Sequence, residues 1–258
     1  MKMKKFIAML LALTMALAFA GCAGSNAPAA TEAPATEAPV VETEAPVVET
    51  EAVVDEVAVM TYEEFMAAEL EALVCIETYV QGHQSWWDNK ITVYCQGPDG
   101  AYFLYELACS EEDAAKLVPG TKIRVTGDKA EWAGEIEIMN GTFEFVEGDT
   151  YVAEALDVTE LLGTEELGNH QNKVVAFTGM TVEAIEYKNG EPGDDIYVTL
   201  GYNGGSYSFC VERYLTGPET EVYTTVGTLE VGDVVNVQGF LYWYEGANPH
   251  ITAIAVAE

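Results

Sequence analysis

Basic residues are scarce in this chain of 258 residues: 11 Lys and Arg stand against 43 Asp and Glu, a formal net charge of −32 at pH 7. Nucleic-acid affinity rests largely on cations that meet phosphates, and a nonspecific single-strand site needs a basic groove. The overall field therefore disfavours that class of partner. Histidine is rarer still, at 3 residues. His83, His170 and His250 fall in separate segments, without the spacing of a metal site. No Gly-x-Ser-x-Gly, phosphate loop or His-Glu-x-x-His motif occurs. Paired carboxylates say little in so acidic a chain, and Glu191, Asp194 and Asp195 miss the spacing of a dedicated calcium loop. The expectation is a noncatalytic protein with no metal and no cofactor.

Long apolar runs are missing except at the start. In MKMKKFIAMLLALTMALAFAGC, three lysines precede an apolar run at 6–20 that meets Gly21-Cys22. That is the layout of a secretory signal, and the run is shorter than the roughly 20 residues a membrane span needs. Ala20-Gly21-Cys22 resembles the bacterial lipobox, with Phe19 where that pattern usually has leucine. The resemblance implies a signal peptide at 1–21, lipid attachment at Cys22 and an extracytoplasmic protein anchored to the cell membrane. Aromatics and lysines are then absent from 24 to 58, where Thr-Glu-Ala-Pro recurs at 31, 36 and 43 with a proline-less copy at 50. So little apolar surface cannot offset the entropy of ordering, and proline with like charge keeps such a chain extended. Residues 22–58 read as a disordered stalk.

What remains contains one unit twice. ITVYCQGPDGAYFLYE from Ile91 aligns without gaps to IYVTLGYNGGSYSFCV from Ile196, since 196 − 91 = 105. Gly120 and Gly127 pair with Gly232 and Gly239, at 232 − 120 = 239 − 127 = 112. Within each copy the apolar period is two, as in Ile91, Val93 and Cys95 against Ile196, Val198 and Leu200, which predicts strands. Strands are expected at 73–81, 90–96, 101–109, 121–126 and 135–139. Pro98-Asp99-Gly100 and Asn203-Gly204-Gly205 supply hairpin turns. Ser110 is a candidate N-cap for a short helix between strands three and four. Thr61-Tyr-Glu-Glu64 has capping-box spacing for a helix ahead of the first copy, and residues 158–162 hold the equivalent place in the second.

Five strands with a helix between the third and fourth is the order of the OB-fold, a Greek-key barrel. TYEEFMAAELEALVCIETYV, GTKIRVTG and EWAGEIEI resemble the tandem OB-fold modules of bacterial secreted lipoproteins. The expected class is all-β with short helices: one barrel at 59–148 and another at 149–258. The family implies binding of oligonucleotides, oligosaccharides or proteins, and the fold does not choose among them.

Aromatic residues mark candidate sites. QSWWDNK places Trp86, Trp87 and Lys90 in the loop between strands one and two, and AEWAGE places Trp132 in the loop between strands four and five. These loops flank the usual ligand face, where the rings would converge over Tyr94 and Thr92 on strand two. Copy two carries Tyr242, Trp243 and Tyr244 in its second loop. Capping an open barrel end explains such rings equally well, and adjacent Trp86 and Trp87 should face opposite ways. Removing three signal lysines and eight linker acids leaves 43 − 8 = 35 acids and 11 − 3 = 8 bases, or −27. Lys90, Lys122, Arg124 and Lys129 nevertheless gather in copy one; pairing of Lys122 and Arg124 with Glu135 and Glu137 is the plainer account of them. The favoured ligand is a glycan or a protein surface, with nucleic acid or a purely structural role as alternatives. Cys75, Cys95, Cys109 and Cys210 show no CxxC and no consistent pairing, because alternation sends Cys75 outward and Cys95 inward. Inert thiols are expected.

Overall fold

The computed structural model describes residues 57–257. The signal, Cys22 and nearly all of the expected stalk lie outside them. Among the described residues no helix is long and apolar enough to cross a membrane.

The first barrel begins at helix α1 (Tyr62–Ala67), held by the capping box read from its sequence. The Glu64 N–H donates to Thr61 Oγ1 at 3.2 Å, and the Thr61 N–H donates to the Glu64 carboxylate at 2.8 Å. Strands β1 (Leu73–His83), β2 (Lys90–Gln96) and β3 (Ala101–Ala108) follow. Helix α2 (Glu111–Ala114) is capped by Ser110, and β4 (Lys122–Trp132) and β5 (Glu135–Phe145) complete the barrel. The strand order β1-β2-β3-β5-β4 closes through β4 on β1, which is OB topology. Alternate residues Val74, Ile76, Val80, Ile91, Val93, Cys95, Ile123 and Val125 fill the core, as their period of two requires. Closure is tight where β5 turns the corner. A Cβ on Gly127 would lie 2.7 Å from Ile138, and one on Gly141 2.5 Å from Leu107.

The second barrel repeats the plan. It comprises β6 (Leu156–Asp157), β7 (Val174–Tyr187), β8 (Ile196–Tyr202), β9 (Gly205–Val211), α3 (Glu221–Val226), β10 (Val234–Phe240) and β11 (His250–Val256). The order β7-β8-β9-β11-β10 closes through β10 on β7, and β6 adds a short parallel edge. Leu200 faces Tyr207 as Cys95 faces Tyr102, each at the offset of 105 found in the sequence. Ahead of this barrel the expected helix is only a 3-10 turn at Thr159–Leu161, without a side-chain cap.

The outward direction expected of Cys75 holds, and the expected pairing of Lys122 and Arg124 fails. Cys75 does leave the core cluster, yet it is buried, because residue 60 bridges alongside β1 and the Met60 N–H donates to the Cys75 carbonyl. Cys75, Cys95, Cys109 and Cys210 are all free and buried. Lys122 and Arg124 do not meet Glu135 and Glu137. Strands β4 and β5 run past their expected ends to Trp132 and Phe145, so Arg124 faces Glu144 while Glu135 and Glu137 face Trp132 and Ala130. Lys122 and Arg124 instead share Glu77 on β1, at 2.5 and 2.8 Å, and Arg124 also reaches Glu144 at 2.9 Å.

A third apolar cluster lies between the barrels, made by Tyr94 and Phe103 of the first and Phe240 of the second, with Val174, Leu215 and Tyr242 around them. Polar contacts frame it. The Val174 N–H donates to Gln96 Oε1 at 2.7 Å, and the Gln81 amide bridges the Tyr151 carbonyl and the Ala153 N–H of the connecting segment.

Candidate ligand cleft and the seam between barrels

Residues 84–90 separate the two adjacent tryptophans. The Trp87 N–H donates to the Lys90 carbonyl at 3.1 Å and the Lys90 N–H returns to Trp87 at 2.9 Å. Asp88 and Asn89 between them both have positive φ, +48° and +60°, the mirror-image turn that suits a two-residue hairpin. Trp86 turns inward against the core of the first barrel, and its Nε1–H donates to the Cys109 carbonyl at 2.9 Å. Trp87 turns outward and is 70% exposed. One ring caps the barrel and the other is free.

Trp87 lines a cleft of about 340 Å³ with Lys90, Thr92, Tyr105 and Glu106 of the first barrel and Tyr214 of the second. The cleft needs both barrels. Ser85 fastens its two sides, donating its N–H to the Tyr214 carbonyl at 2.7 Å. Along its floor Ile91 pairs with Leu107 and Val93 with Leu104, so Tyr105 and Glu106 together oppose the single Thr92. This is a β-bulge. Glu106 adopts φ +48°, and its N–H donates to Thr92 Oγ1 at 3.1 Å. A bulge breaks alternation and re-aims side chains, which is why Tyr105 and Glu106 both reach the cleft. The Lys90 ammonium donates to Glu106 at 2.6 Å.

The other expected site residues are elsewhere. Tyr94 points out of its own barrel, as alternation requires, but it is 0% exposed because the second barrel covers it. Its ring stacks on Phe240 at 4.2 Å and 7°, and its hydroxyl meets His250 Nδ1 at 2.7 Å. Burial holds the Tyr94 phenol well above its ordinary range and lowers His250 to about 4. Tyr94 is therefore not a ligand floor. Tyr242 packs on Phe103 at 5.3 Å and on His250 at 4.4 Å. Trp132 and Tyr244 approach each other across the seam at 5.2 Å, and Trp132 does not line the cleft. Trp243 is partly buried; its backbone N–H donates to Glu135 at 2.8 Å, and its indole fills the space a Cβ on Gly134 would need. The three indoles of the first barrel thus do not converge. Arg124 remains in its ion pairs on β4 and lines none of the cleft.

Two carboxyls sit in the seam: Glu135 is 0% exposed and Glu137 4%. Burial raises Glu135 to about 8, against the Asn172 side chain and the Trp243 N–H, which favour the carboxylate; nearby Glu137 adds to the rise. Burial lifts Glu137 to about 7. Glu135 Oε1 has no hydrogen-bond partner.

The four cations of the expected basic patch are all engaged. Besides the pairs of Lys90, Lys122 and Arg124, buried Lys129 donates to the Met66 and Ala68 carbonyls at the end of α1, at 2.8 and 2.7 Å. Among the described residues no cluster of three or more His, Cys, Asp or Glu could hold a metal ion. Asp195 is taken up by Lys188 at 2.8 Å and by the Arg213 N–H at 2.9 Å.

Topology and register define a protein of two docked OB-fold barrels. No protein-family model and no curated protein matches the chain. Solved structures similar to it include a murine DNA-binding protein bound to double-stranded DNA, at 11% identity over 71% of this chain and 95% of that one, with a TM-score of 0.36. Asparaginyl-tRNA synthetase from Pyrococcus horikoshii matches at 20% identity over 41% of this chain and 23% of that one, with a TM-score of 0.31. The Ifi202 HINa domain in complex with 20bp dsDNA matches at 11% identity over 73% and 97%, with a TM-score of 0.34. Likeness this loose passes no ligand from those proteins to this one.

Proposed function

We propose that this chain is a noncatalytic glycan-binding protein, anchored outside the bacterial cell through Cys22, that holds its ligand in the cleft of Trp87, Tyr105 and Tyr214. The carrying observation is a cleft walled by exposed aromatic rings from both barrels with its cation already neutralised by Glu106. Ligand sites combine apolar and aromatic walls with a few placed polar groups. An indole face packs against the C–H face of a sugar ring, while Thr92, Lys90 and Glu106 are suited to hydroxyls. An acidic surface costs a neutral glycan nothing, whereas it repels polyphosphate.

A nucleic-acid role would draw on the cations of the first barrel, and each of those is held by a carboxylate or by backbone carbonyls. The test is an array of neutral glycans and single- and double-stranded oligonucleotides, probed at two salt concentrations. Saccharide binding that is indifferent to salt and lost in Trp87→Ala and Tyr214→Ala is the expected result. Oligonucleotide binding that falls steeply with salt, with no saccharide retained, would overturn the reading.

A further inference from the structure

The cleft does not end at Glu106. On the far side of Lys90, Tyr105 and Glu106 lies a second depression of about 490 Å³, which those same three residues also line. Its walls are as largely apolar as those of the first, but the polar groups they carry differ. Asp88 and Asn89 of the hairpin turn and Asn140 and Thr142 of β5 supply polar side chains, and no tryptophan lines it. Each depression falls within the roughly 300–1,000 Å³ of an ordinary ligand site.

Backbone irregularities shape both. The bulge at Tyr105 and Glu106 forms their common border. A second irregularity in β5 falls between the pairs Thr126–Thr142 and Asp128–Met139, with Asn140 at φ +52°. The duplicate provides an internal control for the first of these. In the second barrel β8 pairs with β9 without interruption from Ile196–Val211 to Tyr202–Gly205. This barrel closes without a bulge at that place, so barrel closure does not require the left-handed Glu106. A non-glycine residue held in that region costs on the order of 1–3 kcal/mol and tends to occur at functional sites.

Resting on the glycan reading above, we infer that the ligand is an unbranched neutral oligosaccharide that crosses the Lys90–Glu106 pair, with one sugar against Trp87 and Tyr214 and the next over Asn89 and Asn140. The first depression supplies stacking on its indole, and the second supplies hydrogen bonds from its amides to hydroxyls. Glu106 is the specificity-determining residue at the border, fixed by Lys90 and by the bulge.

The probes are mono- to hexasaccharides of β-1,4-linked glucose, mannose, xylose and N-acetylglucosamine, titrated calorimetrically into the full chain and into Asn89→Gly/Asn140→Gly. Glycine suits the positive φ at both positions, and the side-chain hydrogen bond that Asn140 donates to Asp128 at 3.0 Å is exposed, so the variant keeps its fold, which its circular dichroism and denaturant midpoint verify. At least one series should gain roughly tenfold in affinity on passing from one sugar to a chain, the value of one or two net hydrogen bonds. The double variant should lose that gain and keep the monosaccharide affinity. Equal affinity for monomer and hexamer, or a length gain unchanged in the variant, overturns the two-subsite inference alone. Failure of every saccharide to bind overturns the glycan reading and this inference with it.

Discussion

Replacing Glu135 by Gln tests the physical account of the seam. Glu135 is fully buried, and the ionisable groups that act on it or are acted on by it are Tyr62, Tyr94, Tyr242 and Glu137, none of them a cation. Its folded pKa of about 8 lies above the ordinary 4.5. The folded protein therefore binds this proton more tightly than the unfolded chain, and stability must fall as pH rises through that window. Each pH unit costs about 1.4 kcal/mol, so the carboxylate form costs on the order of 5 kcal/mol once pH exceeds 8. Glu135→Gln keeps an oxygen for the Trp243 N–H and carries no charge at any pH. Urea midpoints at pH 5, 6, 7 and 8 should show the variant close to the wild type at pH 5 and more stable by several kcal/mol at pH 8. Glu137, raised to about 7, leaves the variant a smaller slope that levels off near that pH. Parallel profiles for wild type and variant across this range would refute the assignment of Glu135 as a buried acid of the docked state.

Trp86→Ala should cost about 2–3 kcal/mol, less than the loss for a fully buried aromatic because its ring is only partly buried, while Trp87→Ala should stay within about 0.5 kcal/mol; equal losses in denaturant unfolding would refute the division of the pair. Phe240→Ala removes the ring stacked on Tyr94 and should cost about 3 kcal/mol or more. Calorimetry should then resolve two transitions where the wild type shows one, and a single unshifted transition would deny the seam a stabilising role. Cys75, Cys95, Cys109 and Cys210 should resist a thiol reagent until the protein unfolds, since burial raises Cys95, Cys210 and Cys109, the last to about 11. Rapid labelling of any of these four in the native protein would contradict their burial.

Much of the fold was legible in the chain because its signals are local. Alternation of Ile91, Val93 and Cys95 with polar neighbours set the strand and its inward face. The offset of 105 that relates the two copies carries through to the pairing, with Leu200 opposite Tyr207 as Cys95 is opposite Tyr102. Thr61 and Ser110 cap the helices that follow them because capping needs only residues three apart. Trp86 and Trp87 do face opposite ways, although the pair lies in the turn between β1 and β2 and not on a strand whose alternation would require it.

The site was less legible because its position depends on how one barrel meets the other. Alternation rightly sent Tyr94 out of its barrel, but nothing near it in sequence tells that Phe240 and His250, about 150 residues on, would cover it. Tyr214 gave no signal either, since it becomes part of the cleft only when the Ser85 N–H finds its carbonyl. The bulge at Tyr105 and Glu106 is one residue of slip between β2 and β3, invisible in a pattern that reads either strand alone. Period, turns and duplication are properties of the chain by itself. Which aromatic rings are sealed in the seam and which stay open to a ligand follows from the docking of the two barrels, a contact between residues far apart in sequence that only the tertiary structure decides.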